Sequence, residues 1–184
     1  MFTSPHSAPI TQVTSRTILT FVVLAIIALA IWGLRRAWLG KAAEFAALPA
    51  PATAVPTNAT ALTPAYPARF AGSTVTGQWL RRVTVHSLGT PRGISASVYR
   101  QGIYLTDDAD FNLWLSCDHI TGIRTGRGIA GDVVEPDGMV IITWQLGEQL
   151  LDTGLRISRH EDHENFYHTA SDLLKVKTRD GEAR

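Results

Sequence analysis

Three glycines, Gly126, Gly128 and Gly131, lie in the stretch TGRGIAGDV with G-x-G-x-x-G spacing. Between a strand and a helix, that spacing lets a backbone approach a pyrophosphate at the helix N-terminus. The next residues, Asp132-Val133-Val134-Glu135-Pro136-Asp137-Gly138, do not start a helix. Valines followed by Pro and Gly predict another strand instead, so the glycines read as a strand-to-strand connection and not as a nucleotide site.

His160, Glu164 and His168 stand at i, i+4 and i+8, with Glu161, Asp162 and His163 beside them. A metal uses such groups. A solvated polar face near a helix N-terminus, where acids are favoured, accounts for the same residues. Asp107, Asp108 and Asp110 read as an acidic turn between strands; a calcium loop needs further oxygen ligands. Cys117 precedes Asp118 and His119, but neighbours in sequence are not the spatial pair a nucleophile needs, and an acid raises a thiol pKa. Cys117 is expected to be a half-buried small hydrophobe. Neither G-x-S-x-G nor a P-loop occurs. No catalytic residue, metal site or cofactor is therefore expected, and the chain reads as a non-enzyme.

The elements around these residues fall into two regions. Thr17 to Leu34 reads TILTFVVLAIIALAIWGL, without a charge between Arg16 and Arg35. Eighteen helical residues span roughly 27 Å, near the thickness of a bilayer core. The segment has no polar face, which predicts a transmembrane helix. A cleaved signal peptide would have a shorter apolar run ending at small residues; here Arg35-Arg36 follow Trp32. Trp32, Arg35, Arg36 and Trp38 suit the membrane interface. Arg35, Arg36 and Lys41 outnumber Arg16, so the C-terminal part is expected in the cytoplasm, on a single-pass protein of the plasma membrane. From Arg69 onward there are 13 Lys/Arg and 15 Asp/Glu, a net of −2, which offers nucleic acid no basic surface. The single cysteine agrees with a reducing compartment.

Residues 1–16 read as a short tail, and 35–68 as a juxtamembrane segment with an extended linker, because Leu48 to Pro67 is uncharged and carries five prolines. A mainly β domain is expected over 69–177. Its strands are predicted near Phe70–Thr76, Ile94–Tyr99, Ile103–Thr106, Phe111–Ser116, Ile120–Thr125, Met139–Leu146 and Gln149–Ile157, separated by Gly, Pro and Asp turns. Ser158 and Glu161 have capping-box spacing. Phe166, Tyr167, Ala170, Leu173 and Leu174 then share a helical face, predicting an amphipathic helix over His160–Lys175 and a frayed tail at 178–184. The fold class is a seven-stranded antiparallel barrel or sandwich closed by that helix.

Such a plan is that of pleckstrin-homology-like (PH-like) domains. GIYLT at Gly102–Thr106, VIITWQLG at Val140–Gly147 and LDTGLR at Leu151–Arg156 resemble a family of small actinobacterial membrane proteins with one membrane helix and a PH-like domain, some labelled transporter or export proteins. The resemblance marks Gly102, Tyr104, Trp144, Gly147, Asp152, Gly154 and Arg156 as family positions and implies no ligand. Trp144 reads as a core residue and Gly154 as a bulge or close backbone approach. Asp152 and Arg156 share its strand face and are expected to pair with each other or with a neighbouring strand; the alternative for Arg156 is phosphate recognition. The overall expectation is a membrane-anchored interaction module. Its partners would be lipid through the anchor and an unidentified protein, with no nucleic acid or small-molecule substrate. The alternatives are recognition of anionic headgroups by Arg81, Arg82 and Arg92 and an accessory role in transport, since one span builds no transport path alone.

Overall fold

The structure is a computed structural model describing residues 12–45 and 47–182, with side chains over 16–36, 45 and 47–176. The chain divides into two units, residues 1–44 and 45–184.

The described residues of the first unit belong to helix α1, Gln12–Phe45, whose last residue is counted in the second unit. Its stretch Arg16–Arg36 is long and apolar enough to cross a membrane, and none of it is buried within the protein. Apolar residues surround the axis, so no stripe marks a core-facing side. The hydroxyl of Thr20 donates back to the carbonyl of Arg16 at 2.9 Å, which satisfies it inside the helix. The guanidinium of Arg36 lies 5.8 Å from the Trp32 ring centre. The side chain of Trp38 lies outside the described residues.

The second unit contains strands β1 (Tyr66–Val75), β2 (Arg92–Tyr99), β3 (Gly102–Thr106), β4 (Asn112–Ser116), β5 (Ile120–Gly126), β6 (Gly128–Ile129), β7 (Asp132–Val133), β8 (Met139–Leu146) and β9 (Gln149–Ile157), followed by helix α2 (His160–Glu182). Seven strands form one antiparallel sheet in the order β4-β3-β2-β1-β9-β8-β5, and β6 and β7 form a separate hairpin. Strand β1 is central because it pairs with β2 on one side and β9 on the other. Alternation sends Val140, Ile142 and Trp144 of β8 into the main core with Phe70, Leu105 and Leu155. On the opposite face Ile141 and Met139 join Ala71, Ile129 and Ala130 in a small second cluster beneath the β6–β7 hairpin. Helix α2 covers the main core with Phe166 and Ala170, both fully buried, and with Tyr167, Leu173 and Leu174 partly buried.

Two expected boundaries change. Residues 45–68 are not a free linker but part of the domain. Phe45 is a core residue, and β1 starts at Tyr66. Leu62 and Thr63 both donate N–H to the carbonyl of Val98, and the buried Thr63 hydroxyl accepts the Val98 N–H at 2.9 Å. Gln101 grips the segment twice, accepting from the Thr60 N–H and donating to the Asn58 carbonyl. Ala52 accepts the Trp114 N–H at 2.8 Å on edge strand β4. Small side chains and prolines make no core of their own, yet they let a belt lie flat on one, and prolines offer no N–H that would extend the edge pairing. The second change is at the other end. Helix α2 runs to Glu182 and so includes most of the tail that was expected from 178.

His163 is buried on the core side of α2. Burial holds its pKa below the ordinary 6.5 because the imidazolium loses solvation; the nearby Glu164 opposes this. The unfolded chain therefore takes up a proton at a higher pH than the folded one. Stability is full above about pH 6.5 and falls as the pH drops below that value. Urea midpoints of the wild type should decline between pH 7.5 and 5.5, and His163→Gln should flatten that slope. An equal slope in the variant would place the titration elsewhere.

Candidate functional site

The glycine triplet forms no cradle. Gly126 ends β5, Gly128 is in β6, and Ala130-Gly131 turn the β6–β7 hairpin with φ of +56° and +84°, the left-handed pair that a two-residue type I′ turn requires. Ile129 of this hairpin sits on Gly154, where a Cβ would overlap Ile129 Cγ2 and lie 2.8 Å from Met139 Sδ. Gly154 is thus the close approach its place in a strand implies. Among the described residues no group of three or more His, Cys, Asp or Glu is placed to hold a metal ion. His168 and Glu164 pair at 3.3 Å on an exposed part of α2. Asp107 accepts the N–H groups of Phe111 and Ala109, and these, with Arg92, hold its carboxyl below the usual range.

The residues that the resemblance singled out make contacts between strands. Trp144 Nε1 donates to Thr153 Oγ1 at 2.8 Å, and that hydroxyl lies 2.7 Å from Ser73 Oγ, so three buried groups on β8, β9 and β1 satisfy one another. Asp152 is buried and accepts from the hydroxyls of Thr143 and Thr76 at 2.7 and 3.1 Å and from Arg124 Nη2 at 3.0 Å. Arg156 pairs with Glu135 at 3.2 Å. Asp152 and Arg156 therefore bind neighbouring segments and not each other. Gly147, with φ of +59°, opens the two-residue β8–β9 turn and supports the ring of Pro49. Tyr104 donates to Asn112 at 2.7 Å and stands opposite Trp114, which also closes over Gly102 and meets Tyr99 edge-on. Between edge strand β4 and the β8–β9 turn lies a cavity of about 600 Å³, bounded by the belt at Pro49–Ala52 and by Trp114, His119 and Trp144.

The three arginines considered for headgroups have different tasks. Arg82 donates to the carbonyls of Gly89 and Ala130, tying the β1–β2 connection to the β6–β7 turn. Arg92 pairs with Asp107 at 3.1 Å and stacks 4.7 Å from the Phe111 ring centre. Arg81 donates to Gln78 Oε1 and lies 5.7 Å from the Phe45 ring centre. Their partners are separate, and the folded domain itself uses Arg82 and Arg92. In the same connection Trp79 and Leu80 are 55% and 66% exposed.

A seven-stranded antiparallel sheet in this order, with one C-terminal helix across its core, defines a PH-like domain. The buried polar groups on its motif strands are consumed in holding the sheet together. The model of the family described as Bacterial PH domain-like matches residues 45–171, well over half of the chain, and the chain belongs to that family. The match begins at Phe45, the residue at which the belt enters the core. No curated protein matches the chain.

Proposed function

We propose that this chain is a membrane-anchored interaction module: α1 holds the PH-like domain at the inner face of the plasma membrane, where the domain recruits or scaffolds a protein partner without chemistry of its own. The observation that carries this reading is the apolar stretch Arg16–Arg36, exposed all round, in one chain with a PH-like domain. A helix of that kind has a large unfavourable contact with water unless lipid covers it. The basic residues Arg35, Arg36 and Lys41 favour a cytoplasmic domain. The accessory role in transport keeps the same anchor and assigns the partner to a transport system. Headgroup recognition by the arginines is less favoured, because Arg82 and Arg92 have protein partners.

Deleting Thr17–Leu34 is expected to move the protein from the membrane fraction to the supernatant. Retention of the deleted chain on membranes would remove the anchor from the reading. Protease added outside intact cells should leave the domain uncut; cleavage there would reverse the orientation.

A further inference from the structure

Resting on the recruiting role above, we propose that the edge of β4 and the cavity beside it bind an extended apolar segment of the partner protein. Residues 49–57 of the belt are a displaceable strap that competes for the same place.

The strap is pinned at both ends and loosely held between them. On one side Phe45 is in the core, Leu48 packs against it, and the Leu48 carbonyl lies 3.1 Å from His86 Nε2. On the other side Gln101 holds Asn58 and Thr60, and Thr63 is buried against Val98. Among the described residues, one hydrogen bond joins residues 49–57 to the sheet, from the Trp114 N–H to the Ala52 carbonyl. Pro49, Pro51 and Pro56 have no N–H to add to it. Pro49, Ala50 and Ala52 are solvent-exposed, so the strap gains little from apolar burial. It can lift between its pins while the domain stays folded.

The surface under the strap offers more than the strap uses. β4 is the last strand on its side of the sheet. Alternate residues of a strand send their backbone groups to the same edge, so Asn112 and Ser116 face outward with Trp114. The cavity of about 600 Å³ beside this edge stays open although Pro49–Ala52 border it, because alanine and proline side chains are too small to fill it. That volume is in the range of pockets that hold ligands. Its walls carry the Trp114 indole, with the exposed His119 and Gln145 at the rim.

These features select the occupant. A strand edge recognises main chain, and the cavity beside it chooses side chains. No Asp, Glu, Lys or Arg lines the cavity, so the part of the segment that enters it is uncharged. A better occupant than the strap has N–H groups where the strap has proline, and apolar side chains larger than alanine. The strap, being in the same chain, acts at high effective concentration and sets the threshold that such a segment must exceed.

The test uses the full chain in phospholipid nanodiscs, with empty nanodiscs as the blank. In one variant, residues 49–57 are replaced by a Gly/Ser sequence of equal length, which leaves both pins in place. The probe is a fluorescent decapeptide of residues 48–57 with leucine for Ala50 and Ala52 and valine for Pro51. Anisotropy is expected to show binding about tenfold tighter to the variant than to the wild type, since the competitor is weakened. The peptide with unaltered strap sequence should bind more weakly to both, and N-methylation of the probe should abolish binding. Trp114 amide exchange should be roughly tenfold or more faster than that of Leu113 and Leu115 in the wild type, and should slow when the probe binds. Equal affinity for wild type and variant, binding that survives N-methylation, or no binding to the variant would each overturn the proposal. So would a Trp114 amide that exchanges as slowly as its neighbours. Cross-linking of intact cells separates this surface from recruitment itself. Ser116→Pro places a ring on the outward edge and is checked by thermal melting. Cross-linked products lost in this variant with an unchanged melt would support the edge. Products equal in wild type and variant would overturn the edge and leave recruitment standing, and their absence in the wild type would overturn both.

Discussion

Trp144→Ala is expected to destabilise the PH-like domain by about 3–5 kcal/mol, the usual range for removing a buried large aromatic. Trp144 is 2% exposed and sits where β8 faces the main core. Its loss opens a cavity and also removes a donor from Thr153, whose hydroxyl is shared with Ser73. Thr153→Val separates the two contributions. It keeps the volume but leaves the indole N–H and the Ser73 hydroxyl in an apolar setting, which costs about 1–3 kcal/mol per orphaned group. Ser73→Ala in the Thr153→Val background should cost less than Ser73→Ala alone, because its partner is already gone. Urea midpoints followed by circular dichroism would measure this, since tryptophan fluorescence changes with the mutation. Strict additivity of Ser73→Ala and Thr153→Val would mean that the three groups do not form a network.

The part of this architecture visible in the sequence is the part whose partners lie close in sequence. Val140, Ile142 and Trp144 alternate, Gly147 supplies the positive φ at a two-residue turn, and β8 and β9 occur at their expected bounds. Phe166 and Ala170 fall on one helical face by period and are both buried. His163 is three residues before Phe166 and on the same face, so its burial was readable, but the surrounding His, Glu and Asp residues hid it in a polar run. The belt was not readable for a different reason. Nothing in LPAPATAVPTNATALTPAYP announces a core, because its partners are backbone groups of Val98 and Trp114 and the amide of Gln101, which folding delivers from other strands. The protein partners of the arginines were hidden in the same way. Charge and position suggested phosphate, while the groups that engage Arg82 are two carbonyls, one of them 48 residues away at Ala130. Composition reports what a segment lacks, and it does not report the acceptors that distant strands bring to it.

That difference sets the boundary of the folding unit, where the second large effect is expected. A fragment beginning at Arg69 should not fold cooperatively, whereas one beginning at Phe45 should. The shorter chain loses the β1 residues Tyr66, Pro67 and Ala68, which pair with Ala96, Ser95 and Ile94 of β2. It loses the Pro67 carbonyl that accepts the Ser158 N–H, and the Tyr66 hydroxyl that accepts from Asn165 at 2.7 Å and ties α2 to the sheet. It also loses Phe45 and Tyr66 from the core, and Thr63, whose hydroxyl satisfies Val98. Each buried aromatic is worth about 3–5 kcal/mol, and a domain of this size has about 5–15 kcal/mol in total. Two such residues cost about 6–10 kcal/mol, which with three lost ladder positions takes most of that margin. The truncation also uncovers part of β2, a strand edge open to pairing with other chains. Thermal melts and size-exclusion profiles of residues 69–184 and 45–184 would decide the matter. A sharp transition and a monomeric peak for the shorter fragment would return residues 45–68 to the status of a linker. Aggregation of the shorter fragment beside a cooperative melt of the longer one would make the belt part of the fold, with the folding unit beginning at Phe45.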